Sequence, residues 1–336
     1  MENGELFRAM RRNHRITLAQ VADEQNSVAT ISKFERGISD IGLSRFLHLL
    51  NRIDTSMEEF LFRKALADGH AVMNPRGEHD FNSQIDVNFE HRVSELGDMT
   101  TREVTDDEIA TLQAEIELWE HPLDHTPTHR ERFSALVLRF YELTLLANRR
   151  HYQQGRHPDQ VGLGRLSGEL NDLVRPFVSY LRHVERWGYF ELYFFGLLHT
   201  GIDNETEHEL LPLALKRSRM DKGFNSVSTM RFWMLFGAFT DFINARQFQW
   251  AREALDRAEQ DLQTEHNLNM ANLLLFCRGW YRIIHDDVDA GTKLCQQAIS
   301  IEHILKQDNQ GVGDLANVLP YVLANRDNPG SGAYFM

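Results

Sequence analysis

Beyond Arg132 the apolar residues recur at a spacing of 3.6 almost without interruption, and this constrains that part of the chain to helices laid side by side. The pattern breaks at GRHPDQVGLG, HTGIDNETE and MDKGFNS, near Arg246, at QTEHN and near HDDVD. Roughly eight or nine antiparallel helices in pairs are therefore expected. Internal comparison adds a period. FINARQFQWAREALDRAEQ, 242–260, aligns with RIIHDDVDAGTKLCQQAIS, 282–300, at an offset of 40, setting Phe248 on Val288, Ala251 on Gly291, Leu255 on Cys295 and Ala258 on Ala298. Small residues where helices cross, repeated at this period, suit a helical-hairpin solenoid.

The first 66 residues read differently, as five short helices marked by caps. Helix one carries Leu6 and Met10 on one face, with Arg8, Arg11, Arg12 and Arg15 elsewhere. Thr17 and Gln20 fit a capping box, opening a helix with Leu18, Val21 and Ala22 as core positions. Ser27 is the next N-cap, and VATISKFER runs from it to Gly37, where a left-handed C-terminal cap is wanted. Gly42 or Ser44 opens a fourth helix with Leu43, Phe46, Leu47 and Leu50 as its core stripe, and Ser56 with Glu59 caps a fifth.

Two short helices joined by a tight turn, Thr17 to Asp23 and Ser27 to Arg36, are the skeleton of a helix-turn-helix. At 100° per residue Ile31 and Phe34 point inward together, so Ala29, Ser32, Lys33 and Arg36 project from a helix thin enough to enter a major groove. Lys33 can reach guanine or phosphate, Ser32 and Thr30 can donate to either, and Val28 and Ala29 can touch a thymine methyl. Ser27 would turn its helix N-terminus to a phosphate. Arg11 or Arg12 can clamp phosphate from helix one, or instead pair with Glu35. The competing reading is a small protein-binding domain with a solvated basic face.

Charge bears on this choice. The net charge of −13 argues against nucleic acid until it is divided: residues 1–66 hold ten basic and nine acidic side chains, leaving 26 basic and 40 acidic in the remainder. Only the N-terminal segment, at +1, can approach phosphate without strong repulsion.

The stretch SVATISKFERGISDIGLSRFLHLLNRIDTSMEEF, 27–60, resembles the DNA-binding domain of the Rgg/GadR/MutR group of bacterial regulators. The group's pattern is matched at Ser27, Ile31, Ser32, Lys33, Phe34, Glu35, Arg36 and Gly37, and it departs at Val28, where a polar or basic residue is common. LRHVERWGYFELYFF, 181–195, is similar to the same group's Trp followed by an aromatic-Glu-Leu segment. The resemblance implies a cytoplasmic, homodimeric transcription regulator that binds promoter DNA and, in tetratricopeptide-type C-terminal repeats, a short secreted signalling peptide. The fold expected is all-α: a five-helix, lambda-repressor-like helix-turn-helix domain over 1–66 and a tetratricopeptide-like solenoid over 106–336, with 67–105, rich in Gly, Asn, Asp, His and charge, as a linker holding one short extended or helical piece, VNFEHRVSELGDM. Within such a solenoid the first helix of each hairpin lines the concave face. There Asn148, Arg149, Tyr193, Arg231, Asn244, Asn267 and Asn272 are candidates for an extended peptide, while each also suits a cap or an exposed polar position. Phe190, Phe194, Phe195, Phe232, Trp233 and Phe236 read as core.

Other classes find little support. GLGRLSG at 162–168 has its third Gly one position late for a dinucleotide fingerprint, and no Walker motif, HExxH or nucleophile elbow is present, so neither catalysis nor a cofactor is expected. His121, His125 and His129 fall in a loop whose Pro122 and Pro127 break the register a metal would need. Cys277 and Cys295 have no metal or disulfide spacing and read as buried free thiols. No window reaches the length of a membrane span, and the N-terminus lacks the apolar core of a signal peptide. Two alternatives stay open: a ligand-independent regulator, and a helical-repeat adaptor whose N-terminal domain binds protein.

Overall fold

The computed structural model describes residues 2–68, 87–100, 102–123, 126–153, 167–219, 225–263, 267–305 and 315–327. The chain divides into two compact units, 1–87 and 88–336. Among the described residues every regular element is helical.

The N-terminal unit holds the five expected helices: α1 (Asn3–Asn13), α2 (Leu18–Val21), α3 (Val28–Glu35), α4 (Leu43–Arg52) and α5 (Met57–Ala67). Local chemistry sets their ends. Thr17 and Gln20 cap α2 reciprocally, the Ser27 hydroxyl accepts from the Thr30 N–H to open α3, and Ser56 accepts from Glu59 N–H at 3.0 Å before α5. Gly37 ends α3 at φ +70°, a conformation that costs glycine nothing. The core is aromatic at its centre, where Phe7, Phe34, Phe46 and Phe60 meet at ring-centroid distances of 4.9 to 6.3 Å, two pairs of them edge-on. Ile31, Val21, Leu49 and Leu50 close around it.

The stripe expected on α4 is displaced. Leu43 and Leu47 are 66% and 40% exposed, whereas Phe46, Leu49 and Leu50, then Ile53, face the core. Both sets obey the same i, i+3, i+4, i+7 spacing three residues apart. Phe46 and Leu50 are common to both, and the helix is rolled so that Leu49 and Ile53, not Leu43 and Leu47, flank the Phe46 contacts with Phe34 and Phe60.

The C-terminal unit begins earlier than residue 106. Of the stretch read as linker, 69–86 lie outside the described residues, and VNFEHRVSELGDM forms α6 (Val87–Met99), packed into this unit by Phe89, Leu96 and Met99. Thr105 and Glu108 form a capping box on α7 (Asp106–Glu120), and α8 (His129–Gln153) follows. Next come α9 (Ser167–His183), α10 (Tyr189–Leu198), a 3-10 turn (His199–Gly201), α11 (Asn204–Arg217) and α12 (Asn225–Asn244). The last four are α13 (Phe248–Leu262), α14 (Leu268–His285), α15 (Val288–Leu305) and α16 (Leu315–Asp327).

The 40-residue offset is a structural period. Phe248 and Val288 are the first residues of α13 and α15, and the aligned Ala251 and Gly291, Leu255 and Cys295, Ala258 and Ala298 are all buried where each helix crosses its partner. The aromatic-rich segment after residue 181 is a structural corner. Trp187 is fully buried with its indole N–H on the Leu181 carbonyl at 3.2 Å, while Glu191 accepts from Gly188 N–H at 2.8 Å and from the Tyr180 hydroxyl at 2.7 Å. Phe194, Phe195, Phe232 and Phe236 are buried as expected, and Phe190 and Trp233 are half-buried. Cys277 and Cys295 are buried free thiols, and burial pushes both above the usual thiol range, Cys295 to about 12.

Candidate DNA interface and peptide groove

On α3 the division of faces follows the helical period. Ile31 and Phe34 are buried, Ser27, Val28, Ala29, Lys33 and Arg36 are exposed, and Thr30 and Ser32 are half-buried on the flank. The Ser27 hydroxyl lies 2.9 Å from that of Thr30. This bond steers both toward the first turn, where helix N–H groups have no intrahelical acceptor and the dipole favours an anion. Arg36 folds back, its Nε donating to the Ser32 carbonyl at 3.1 Å. The surface offered is thus a small, mildly apolar N-terminal half followed by two cations.

Arg11 leaves that surface. It is buried, and its Nε and one Nη donate to the two Glu35 oxygens at 2.6 and 2.8 Å, while the other Nη donates to the Ile16 carbonyl at 2.6 Å. Of the two roles open to it in the sequence, pairing with Glu35 is the one realised, because Glu35 lies on the inward flank of α3 and needs a partner there. Arg12 is exposed.

A second set of basic side chains went unread in the sequence. Arg45 on α4 donates to the Asn26 side chain at 2.9 Å and the Gln25 carbonyl at 2.7 Å, Arg52 donates to the Gln20 carbonyl at 2.6 Å, and His48 pairs with Asp23. Their signal is the i, i+3, i+7 spacing on one face of α4. Together they fasten the turn between α2 and α3. The His48 hydrogen bond, with those from Asn26 and Gln25 N–H, holds the Asp23 carboxyl below the usual carboxylate range. A depressed acid stabilises the fold above its ordinary pKa and loses that contribution as pH falls through the depressed value. Asp23→Asn should therefore lower the melting temperature near pH 7 and change it far less near pH 3, which paired thermal melts would show.

In the C-terminal unit the candidate peptide contacts are largely engaged. Asn148 donates to the Thr100 carbonyl at 3.0 Å and Arg149 pairs with Asp106, so both clasp the segment entering α7. Arg231 is buried and bridges Asp261 at 2.7 Å and the Leu215 carbonyl at 2.9 Å. Asn267 is the N-cap of α14, accepting from Met270 N–H at 3.1 Å. These four hold the fold together: Asn148 and Arg231 supply donors to backbone carbonyls, Asn267 an acceptor to a helix-terminal N–H, and Arg149 a charge partner to Asp106. One of the other three, Asn272, keeps an unpaired ligand-binding atom among the described residues. Tyr193 is half-buried beside Tyr189 and Phe194. Asn244 accepts from Asn325 at 3.1 Å. Asn272 donates to the Ala298 carbonyl at 3.0 Å, and its buried side-chain oxygen has no hydrogen-bond partner among the described residues.

Known proteins place this geometry. Residues 171–311 match the family described as HTH-type transcriptional regulator Rgg, C-terminal domain. No curated protein sequence matches the chain. Among solved structures, the Streptococcus dysgalactiae SHP pheromone receptor Rgg2 is similar at 19% identity and TM-score 0.62, covering 96% of this chain and 98% of its own. A protein from Listeria monocytogenes described as a transcriptional regulator is similar at 16% identity and TM-score 0.71, over 97% of this chain and 98% of its own. A bacterial peptide pheromone/receptor complex is similar at 13% identity and TM-score 0.60, over 97% and 98%. No described helix is long and apolar enough to cross a membrane. Residues 171–311 thus match the Rgg C-terminal domain family model, within a chain that shares the helical fold of these proteins along nearly its whole length.

Proposed function

We propose that this chain is a dimeric DNA-binding transcriptional regulator controlled by a short signalling peptide held along the concave side of its C-terminal repeats. The observation that carries DNA reading is the face of α3: Ser27, Val28, Ala29, Lys33 and Arg36 stand exposed on a capped helix whose opposite residues, Ile31 and Phe34, are fixed in the core. Lys33 and Arg36 meet guanine edges or phosphate in promoter DNA, Ser32 and Thr30 serve as flank donors, and Arg12 adds a backbone contact from α1. Peptide control is supported by the Rgg C-terminal domain match and by the fold shared with a pheromone/receptor complex. Asn272 is the contact assigned to the peptide, through its buried side-chain oxygen, which has no partner among the described residues. Bound peptide would favour one of two dimer geometries by its differential affinity for them, and so alter promoter occupancy.

The test is fluorescence anisotropy with the duplex upstream of the gene, repeated across salt concentrations. Lys33→Ala and Arg36→Ala should each weaken binding, lowering the salt slope by about 1 where the lost contact is phosphate and costing about 1–3 kcal/mol at one base position where it is a base edge. Unchanged binding in both variants would favour the protein-binding adaptor. The engagement of Asn148, Arg149, Arg231 and Asn267 within the fold favours a second reading, in which the repeats serve only dimerisation. Calorimetry with short hydrophobic synthetic peptides separates the two, since silence across the panel supports the ligand-independent regulator.

A further inference from the structure

Three ligating side chains meet inside the C-terminal unit, where the 3-10 turn joins α10 to α11 and leans on α12. His199 lies in the turn, Glu207 in the first turns of α11 and Asp241 near the end of α12. All three are buried, Glu207 completely. His199 Nδ1 is 2.5 Å from Asp241 Oδ2 and 3.8 Å from Glu207 Oε1. One donor atom from each residue lies within 4.8 Å of the other two. The imidazole is seated on the bare Cα of Gly237 in α12, where an added Cβ would come within 3.0 Å of ring atoms, and this close packing fixes the ring with Nδ1 toward the carboxylates.

Glu207 is the independent sign that something is wanted here: no N–H or hydroxyl donor reaches either of its oxygens among the described residues, the side chain has no exposure, and its hydrogen-bonding neighbour is another carboxyl, that of Asp241. A buried carboxylate with no donor is among the costliest arrangements in a protein interior, and a second carboxylate facing it raises that cost. Two carboxylates sum to the charge that one divalent cation neutralises, and the imidazole nitrogen adds a third donor atom. We propose that His199, Glu207 and Asp241 bind one divalent transition-metal ion of the zinc type, which pins the turn after α10 to α12. One nitrogen and two carboxylate oxygens are a donor set such ions accept. Zn–N and Zn–O lengths of about 2.0–2.2 Å place tetrahedral donors about 3.3 Å apart, so Glu207 already stands near its place and Asp241 has to draw back by under about 1 Å. The competing occupant is a proton: burial, and then the facing Asp241, drive Glu207 toward its protonated form.

The experiment uses the full chain, stripped with a chelator and then titrated with Zn²⁺, and in parallel with Mn²⁺ and Mg²⁺, by calorimetry and thermal melting. The expected result is one bound Zn²⁺ per chain with a rise in melting temperature, and at least a tenfold loss of that affinity in Glu207→Gln and Asp241→Asn. Glu207→Gln keeps the shape of the protonated acid, so it remains informative if His199→Ala fails to fold. No stoichiometric Zn²⁺ on the wild type overturns the proposal in favour of the proton. Equal binding in both variants also overturns it, locating the ion at an exposed group such as Glu117, Glu120 and His121.

Discussion

Arg11→Met is expected to destabilise the N-terminal unit by about 3–5 kcal/mol, because it leaves Glu35 ionised, buried and without its two charge-assisted hydrogen bonds. The loss extends further, since the Ile16 carbonyl at the turn into α2 also loses its donor. The pair ties α1 to the flank of α3, so the damage reaches the helix assigned to DNA. Arg11→Met with Glu35→Leu should recover most of the loss, since replacing a buried ion pair by apolar side chains of similar size is often neutral or stabilising. Urea denaturation of wild type, the single variants and the double variant, followed by hydrogen exchange of the α1 and α3 amides, completes the cycle. A mild effect of Arg11→Met alone would mean that water reaches Glu35.

The second large effect lies where α14 crosses α15. A Cβ on Gly291 would stand 2.6 Å from the Gly279 carbonyl oxygen and 2.7 Å from the Ile283 nitrogen, and a Cβ on Gly279 would stand 2.7 Å from the Gly291 carbonyl oxygen. The obstructing atoms are backbone, so a rotamer change gives no relief and the helices must separate. Gly291→Ala should therefore destabilise the C-terminal unit by about 1–3 kcal/mol or more. Intrinsic propensity pulls the other way, since Ala in an unobstructed helix gains about 1 kcal/mol over Gly. Gly97→Ala in α6, where an added Cβ meets nothing within 4 Å, supplies the control and should be neutral or slightly stabilising. Thermal melts should show a clear fall for Gly291→Ala and none for Gly97→Ala.

What could be read from the sequence was what local rules determine. Thr17, Ser27 and Gly37 each set a helix end within three or four residues of themselves, and Ile31 and Phe34 fixed the roll of α3 unaided. The roll of α4 was not legible, because Leu43, Phe46, Leu47, Leu50 and Phe46, Leu49, Leu50, Ile53 are equally periodic and share Phe46 and Leu50, so only packing against the other helices buries Leu49 and Ile53 in place of Leu43 and Leu47. The repeat was legible as small residues at an offset of 40, since a helix crossing demands the same sizes each time it recurs. The peptide contacts were the least legible. An Asn looks the same in sequence whether it caps a helix, as Asn267 does, or keeps an oxygen unpaired, as Asn272 does. His199, Glu207 and Asp241 gave no signal at all, being separated by 8 and 34 residues and joined only by the packing of the turn on α12.

If α3 reads DNA as proposed, the clamp formed by Arg45, His48 and Arg52 has a consequence for that encounter. With the α2–α3 turn already held by α4, the reading helix has little conformational freedom left to surrender on a duplex. Association is then a docking of preformed surfaces, and its heat-capacity change reflects the contact area alone, without the added burial of a segment that folds on arrival. Complex formation is set by encounter and orientation, so the time spent on each site, not the wait for a rare conformer, is what sequence changes in the operator would alter.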